Sequence, residues 1–267
     1  MDKLSKAQSE IREIDELASG DSFLHQMHPL CKLIVTIVYI FMVVSFHKYD
    51  ISGLVVMILY PVLMFQAAQI PVRTCFYKLR IVLPLVCAVG LVNPFLDHIP
   101  LLRVGDVVFT GGVISMLTLM MKGCFALMAS FLLIATTKID ALCAALRKIH
   151  VPAILTTLFL LTYRYIGVMM DEVSVMVQAY SLRAPKQKGI HISAWGSFLG
   201  QLLLRSMDRA QELYSSMMLR GFQGNFYYSD IPSCRAGSIL VTVISISFFV
   251  CARLVNITHF IGTIFVR

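Results

Sequence analysis

Two arginines near the ends of long helix-forming stretches are the residues best placed to do chemistry in this 267-residue chain. One closes "AYSLRAP" (179–185) and the other "SSMMLRGF" (215–222). Each arginine follows a leucine and precedes a small residue, Ala184 or Gly221, which leaves its guanidinium less covered. An arginine in the last turn of a helix can serve the free carbonyls and the helix dipole, and for one site alone that reading suffices. Its recurrence points to a different chemistry, in which a planar fork offers bidentate hydrogen bonds to carboxylates on a partner. On neighbouring helices Leu182-Arg183-Ala184 and Leu219-Arg220-Gly221 would form a two-pronged cationic plug. Truncating such a contact, once buried, costs about 2–5 kcal/mol.

The other reactive residue types are less organised. His25, Met27 and His28 cluster in "LHQMHP", and their softness would suit nickel, cobalt or copper. Three donors with no further partner nearby make a poor site. His47, His98, His150, His191 and His259 stand singly, so no metal site is expected. The seven cysteines are scattered without a C-x-x-C pair, which argues against a disulfide framework and a thiolate site. Lys122 lies within an apolar run, where an ionisable group is costly and faces protein or water. It is either a contact with a partner subunit or an ammonium snorkelling to the interface. Asp171 and Glu172 are adjacent, so on a helix they point about 100° apart. They suit charge balance with Arg164, Lys186 and Lys188 better than acid–base work. The chain contains no G-x-x-x-x-G-K-[ST], G-x-S-x-G or H-E-x-x-H. No catalytic site, intrinsic ATPase or cofactor is expected.

The elements that carry these residues are those of a membrane protein. Hydrophobic residues make up 58% of the chain, charged residues only 14%, and the mean hydropathy is +0.78. A soluble domain carries roughly a quarter charged residues, so this chain cannot cover a water-facing surface. Five stretches are predicted to span, at about 30–46, 51–68, 81–95, 113–136 and 236–255. The third is short and ends in "NPF", which predicts a kinked or incomplete span. The net charge of +8 fits basic loops held on the cytoplasmic side. No basic run interleaved with aromatics suggests nucleic-acid binding. The N-terminus has no apolar signal-peptide region, and Ile11, Ile14 and Leu17 fall at the spacing of an amphipathic helix on the membrane surface.

With the N-terminus inside, the loop containing Arg73, Lys78 and Arg80 is cytoplasmic, and so is everything from 137 to 235, with eleven Lys or Arg. The stretch 151–170 is apolar enough to cross, but crossing would export Arg183, Lys186 and Lys188. Two long helices starting in or against the inner leaflet fit better. Pro185 stops the first, and Gly221 suits the left-handed position after the second. On the second, Arg205 with Asp208 and Arg209 with Glu212 make i,i+3 pairs worth about 0.2–0.5 kcal/mol each. The expected fold is therefore all-α, a polytopic helical membrane protein with long cytoplasmic coupling helices. Its parts are an N-terminal cytoplasmic segment (1–24), a four-span membrane domain (25–136), the coupling helices (137–235), and a last span with its tail (236–267).

Three stretches carry a family resemblance: "LHQMHPLCKLIVTIVY", "LTYRYIGVMMDEV" and "LLLRSMDRAQELYSSMMLRGFQG". Across about residues 25–224 the chain resembles the T component of energy-coupling factor (ECF) transporters, of the CbiQ type found in cobalt and nickel uptake. That family ends its coupling helices in X-Arg-X, usually Ala-Arg-Gly; here Leu182 and Leu219 replace the first Ala, and Ala184 replaces the first Gly. The resemblance implies a non-catalytic scaffold in the cell membrane whose two tips dock on a pair of ABC-type ATPases. Arg205, Asp208, Arg209 and Glu212 would support the lever. The membrane part would hold a small substrate-binding S component, CbiM-like, with or without a CbiN-like subunit, and Lys122 would touch it. The alternatives are a T component for vitamins, a self-sufficient metal permease using His and Met ligands, and a membrane-anchored docking protein.

Overall fold

The structure is a computed structural model and describes residues 2–48, 50–96, 100–104, 107–185, 187, 189–224 and 236–254. In chain order its elements are α1 (Asp2–Ala18), α2 (Phe23–Gln26), α3 (Pro29–Ser45), α4 (Ile51–Met57), α5 (Leu59–Ala68), α6 (Val72–Lys78), α7 (Val82–Leu91) and α8 (Asn93–Leu96). Strands β1 (Pro100–Val104) and β2 (Val107–Thr110) follow, then α9 (Gly111–Thr136), α10 (Ile139–Lys148), α11 (Ala153–Arg183), α12 (Ile192–Leu219) and α13 (Ala236–Leu254). The chain divides into two compact units, named for the roles expected of their helices: the coupling unit (Met1–Leu17 and Ile139–Ile231) and the membrane unit (Ala18–Lys138 and Pro232–Arg267).

In the membrane unit, α3 starts where the sequence allows only a start. Pro29 occupies the first turn, and the His28 ring nitrogen Nδ1 accepts from the Leu30 amide at 3.2 Å. α9 packs against α3, α7 and α8, and α13 packs against α3 and α4. The fully buried rings of Tyr39 and Phe249 meet Tyr60 with centroids 4.5–5.2 Å apart, at the centre of the core. The Tyr39 hydroxyl donates to the Met57 carbonyl at 3.0 Å, at the break between α4 and α5. Close approach of α7 to α9 depends on Gly123, since a Cβ there would lie 2.3 Å from Val86 Cγ1.

Helices form over the five stretches expected to span, with local departures. The second is broken at Ile58 and then bends by 107° into α6, at left-handed Gln69 (φ 57°) and Pro71. The third is interrupted at Val92, ahead of Pro94. The connection after it, expected as a plain loop, is a short antiparallel hairpin pairing Leu102 with Phe109 and Val104 with Val107. The fold is otherwise all-α. Among the described residues three helices, α9, α11 and α13, are long and apolar enough to cross a membrane by length and composition. The stretch from Gly53 through α5 counts with α6 as a fourth if the bent pair is one span. α3 and α7 are shorter apolar helices.

In the coupling unit, α10 packs on α11, and Arg164 of α11 pairs with Asp140 at 3.2 Å. α1 is docked rather than free. Its Gln8 donates to Asp171 at 3.0 Å and its Asp15 accepts from the Tyr163 hydroxyl at 2.6 Å. α1 therefore runs antiparallel along α11, with Ile11, Ile14 and Leu17 partly buried.

Candidate functional site: two arginine tips

Helix α11 ends at Arg183, and the Ala184 amide still donates to the Tyr180 carbonyl at 3.0 Å before Pro185 ends the run. The turn that follows is tied back to the helix. The Tyr180 hydroxyl donates to Gln187 Oε1 at 2.8 Å and accepts from the His191 amide at 3.3 Å. His191 then starts α12, its Nδ1 accepting from the Ser193 amide at 3.4 Å. Lys186 and Lys188 lie outside the described residues.

At its other end α12 closes in a Schellman motif. Gly221 is left-handed (φ 80°), its amide donates to the Met218 carbonyl at 3.0 Å, and the Phe222 amide donates to the Met217 carbonyl at 3.0 Å. Backbone amides thus satisfy the last carbonyls, and the Arg220 side chain is not needed for the cap. Leu182 is 82% exposed and Leu219 90% exposed, and Arg183 and Arg220 are exposed beside them. Neither guanidinium has a hydrogen-bond or ion-pair partner among the described residues. Each tip thus presents an apolar side chain beside a solvated cation, the residue types that a partner's apolar pocket and carboxylate would recognise.

The two tips do not form one plug. Tyr180 holds the start of α12 against the end of α11, and Arg205 of α12 pairs with Glu172, further back on α11. The helices therefore fold back across each other. Arg183 lies eleven residues beyond this crossing, about 16 Å along α11, and Arg220 fifteen residues beyond it, about 22 Å along α12 in the other direction. The bonds at Tyr180 and Glu172 hold this antiparallel course. The arrangement offers two separate cationic points.

The remaining residues singled out in the sequence divide clearly. Arg209 pairs with Glu212 at 3.3 Å as expected, but Arg205 takes Glu172 in place of Asp208, which is exposed. Asp171 is bonded to Gln8, Glu172 to Arg205 and Arg164 to Asp140, while the linker lysines expected near the acidic pair lie outside the described residues. An apolar groove of about 460 Å³ lies between α11 and α12, walled by Leu158, Leu161, Met169, Leu213 and Met217. Lys122 donates to the carbonyls of Val44 and Phe46 at the end of α3. His25 binds Ser22 and the Ala135 carbonyl, and His28 caps α3, so both rings of the "LHQMHP" cluster have packing work. No group of three His, Cys, Asp or Glu among the described residues could hold a metal ion; His98, His259 and Cys234 lie outside them. Burial, then the nearby Asp140 carboxylate, pushes the Cys143 thiol up to about 11, so it stays protonated and packs as a small hydrophobe. Lys32 was overlooked in the sequence. It is 8% exposed and bonded to two carbonyls, and its signal was a cation inside the first apolar helix.

The profile of the cobalt transport protein family, CbiQ, matches residues 20–229. The chain belongs to this family. It is a CbiQ-type T component, of the class that forms the transmembrane subunit of ECF transporters. Both arginine tips fall inside the matched region, whereas α1 and α13 fall outside it. The ECF transporter transmembrane protein EcfT of Ruminiclostridium cellulolyticum is 25% identical over 92% of this chain and 98% of its own length. The cobalt transport protein CbiQ of Rhodobacter capsulatus is 33% identical over 34% of this chain and 38% of its own. The nickel permease LarQ of Lactiplantibacillus plantarum is 29% identical over 35% of this chain and 34% of its own. Family and apolar helices together make this T component a multi-pass membrane protein.

Proposed function

We propose that this T component is the energy-coupling scaffold of an ATP-driven importer for cobalt or nickel ions. It docks two ABC-type ATPases through Leu182-Arg183-Ala184 and Leu219-Arg220-Gly221 and relays their motion to a small membrane S component. The observation that carries the reading is the pair of exposed, unpartnered arginines at the ends of two crossed helices. Their position on opposite sides of the crossing suits one tip per ATPase. Arg205, bonded across to Glu172, stiffens the crossing, and the Arg209–Glu212 pair supports the helix beyond it. The N-terminus and the coupling unit are cytoplasmic in this reading. The cargo follows the relatives' names, one a cobalt transport protein and one a nickel permease.

The test is purification of the tagged chain from its own membranes in mild detergent, beside Arg183→Glu/Arg220→Glu. The wild type should bring down an ATPase that the variant loses, with binding weakened at least tenfold, since a docked charge pair contributes about 2–5 kcal/mol. Equal recovery of the ATPase by both forms would reduce the tips to ordinary helix ends. Uptake of labelled cobalt and nickel by cells expressing the intact complex separates the two cargoes.

A further inference from the structure

Two of the three covalent links between the units leave the membrane unit from one small knot. The links fall at 17/18, 138/139 and 231/232. The knot is built around Lys32, in the first turns of α3 and 8% exposed. Its ammonium donates to the carbonyl of Thr136, the last residue of α9, at 2.7 Å, and to the carbonyl of His25 in α2 at 3.3 Å. The His25 ring adds two contacts, Nε2 with the Ala135 carbonyl at 3.3 Å and Nδ1 with Ser22 Oγ at 2.6 Å. One cation thus fixes the end of α9, two residues before the chain enters the coupling unit, to the segment by which it returns from α1. The last carbonyls of a helix lack intrahelical partners and carry the negative end of its dipole, so a buried ammonium is well matched to them. The link itself contributes no such bond, for the Thr137 hydroxyl is buried without a partner.

We infer that Lys32, with His25, is a positioning clamp through which motion of the coupling unit enters the membrane unit. Along the chain, force applied at Ile139 reaches α9 through Thr137 and Lys138. An unclamped last turn would fray and absorb it, whereas a turn held to α3 and α2 moves the helix as a body. The inference rests on the energy-coupling reading above.

The experiment is hydrogen exchange on the complex purified with its ATPases, nucleotide-free and trapped with ATP and vanadate, for wild type and Lys32→Met. In the wild type, nucleotide should alter exchange in both the 139–183 and the 111–136 peptides. In Lys32→Met the ATPases should still co-purify and the 139–183 peptides still respond. The response of the 111–136 peptides should fall at least twofold, and the last turn of α9 should exchange about tenfold faster. A wild-type response throughout α9 would overturn the clamp. Should Lys32→Met fail to assemble, His25→Ala keeps the ammonium and removes the ring contacts; a full α9 response there would overturn it equally. A wild-type preparation without any ATPase would instead overturn the energy-coupling reading, and the clamp with it.

Discussion

A cation inside an apolar helix bundle must be accounted for residue by residue, because its burial without partners costs far more than any single packing contact returns. Lys122 meets this demand at the end of α3, where its ammonium reaches the Val44 and Phe46 carbonyls. Arg253 reaches the intervening Ser45 carbonyl at 3.1 Å and lies 4.7 Å over the Phe46 ring. The pair closes a helix end that has no glycine cap. Lys122→Met should lower the thermal midpoint of the purified chain, removing about 1.5–3 kcal/mol of charge-assisted bonding. The same variant tests the partner contact implied by the family resemblance. Loss of a small membrane subunit from the complex would support that contact, and its retention alongside a lowered midpoint would leave Lys122 as an internal cap.

At the scale of elements, the decisive features are breaks and close approaches. α11 and α12 are uninterrupted and end in sharply different ways, one by proline and one by a Schellman motif, so both helices have defined lengths. The second span is instead divided at Ile58, and Tyr39 secures the freed Met57 carbonyl. α7 and α9 meet at Gly123 with no room for a methyl group. Gly123→Ala should therefore destabilise the membrane unit by about 1–3 kcal/mol, because the β-branched Val86 cannot swing aside. Adding Val86→Ala should recover a good part of that loss. Thermal unfolding of the two single variants and the double variant would measure the coupling, and additive losses would show that the contact does not limit packing.

For the whole molecule, the open question is what α11 does with its apolar half. The helix has 31 residues, about 46 Å, and by length and composition it could cross. Ile154, Leu155 and Leu158 are exposed along its first turns, as they would be toward lipid or a partner subunit. In the proposed orientation the charge argument keeps it at the inner leaflet, since crossing would place Arg183 outside. In a chain cleared of its seven cysteines, a single cysteine replacing Gln187 should react with a membrane-impermeant maleimide only after cells are opened. Labelling of intact cells would show that α11 crosses and would reverse the orientation of everything after it.

Much of this was legible in the sequence because it is local. Apolar run lengths, Pro185 after Ala184 and Gly221 after Arg220 determine which helices form and where they stop. The two Leu-Arg-small endings were visible for the same reason, and with them the family. The partners of charged side chains were not visible, because they depend on which helices meet. Arg205 finds Glu172 across the helix pair, 33 positions away, rather than Asp208 on its own helix. Lys32 finds Thr136 over 104 positions, and only packing of α3 on α9 brings them together. The separation of the two arginine tips was settled in the same way. Sequence places each at the end of its helix, and the antiparallel crossing of α11 and α12 makes them two sites.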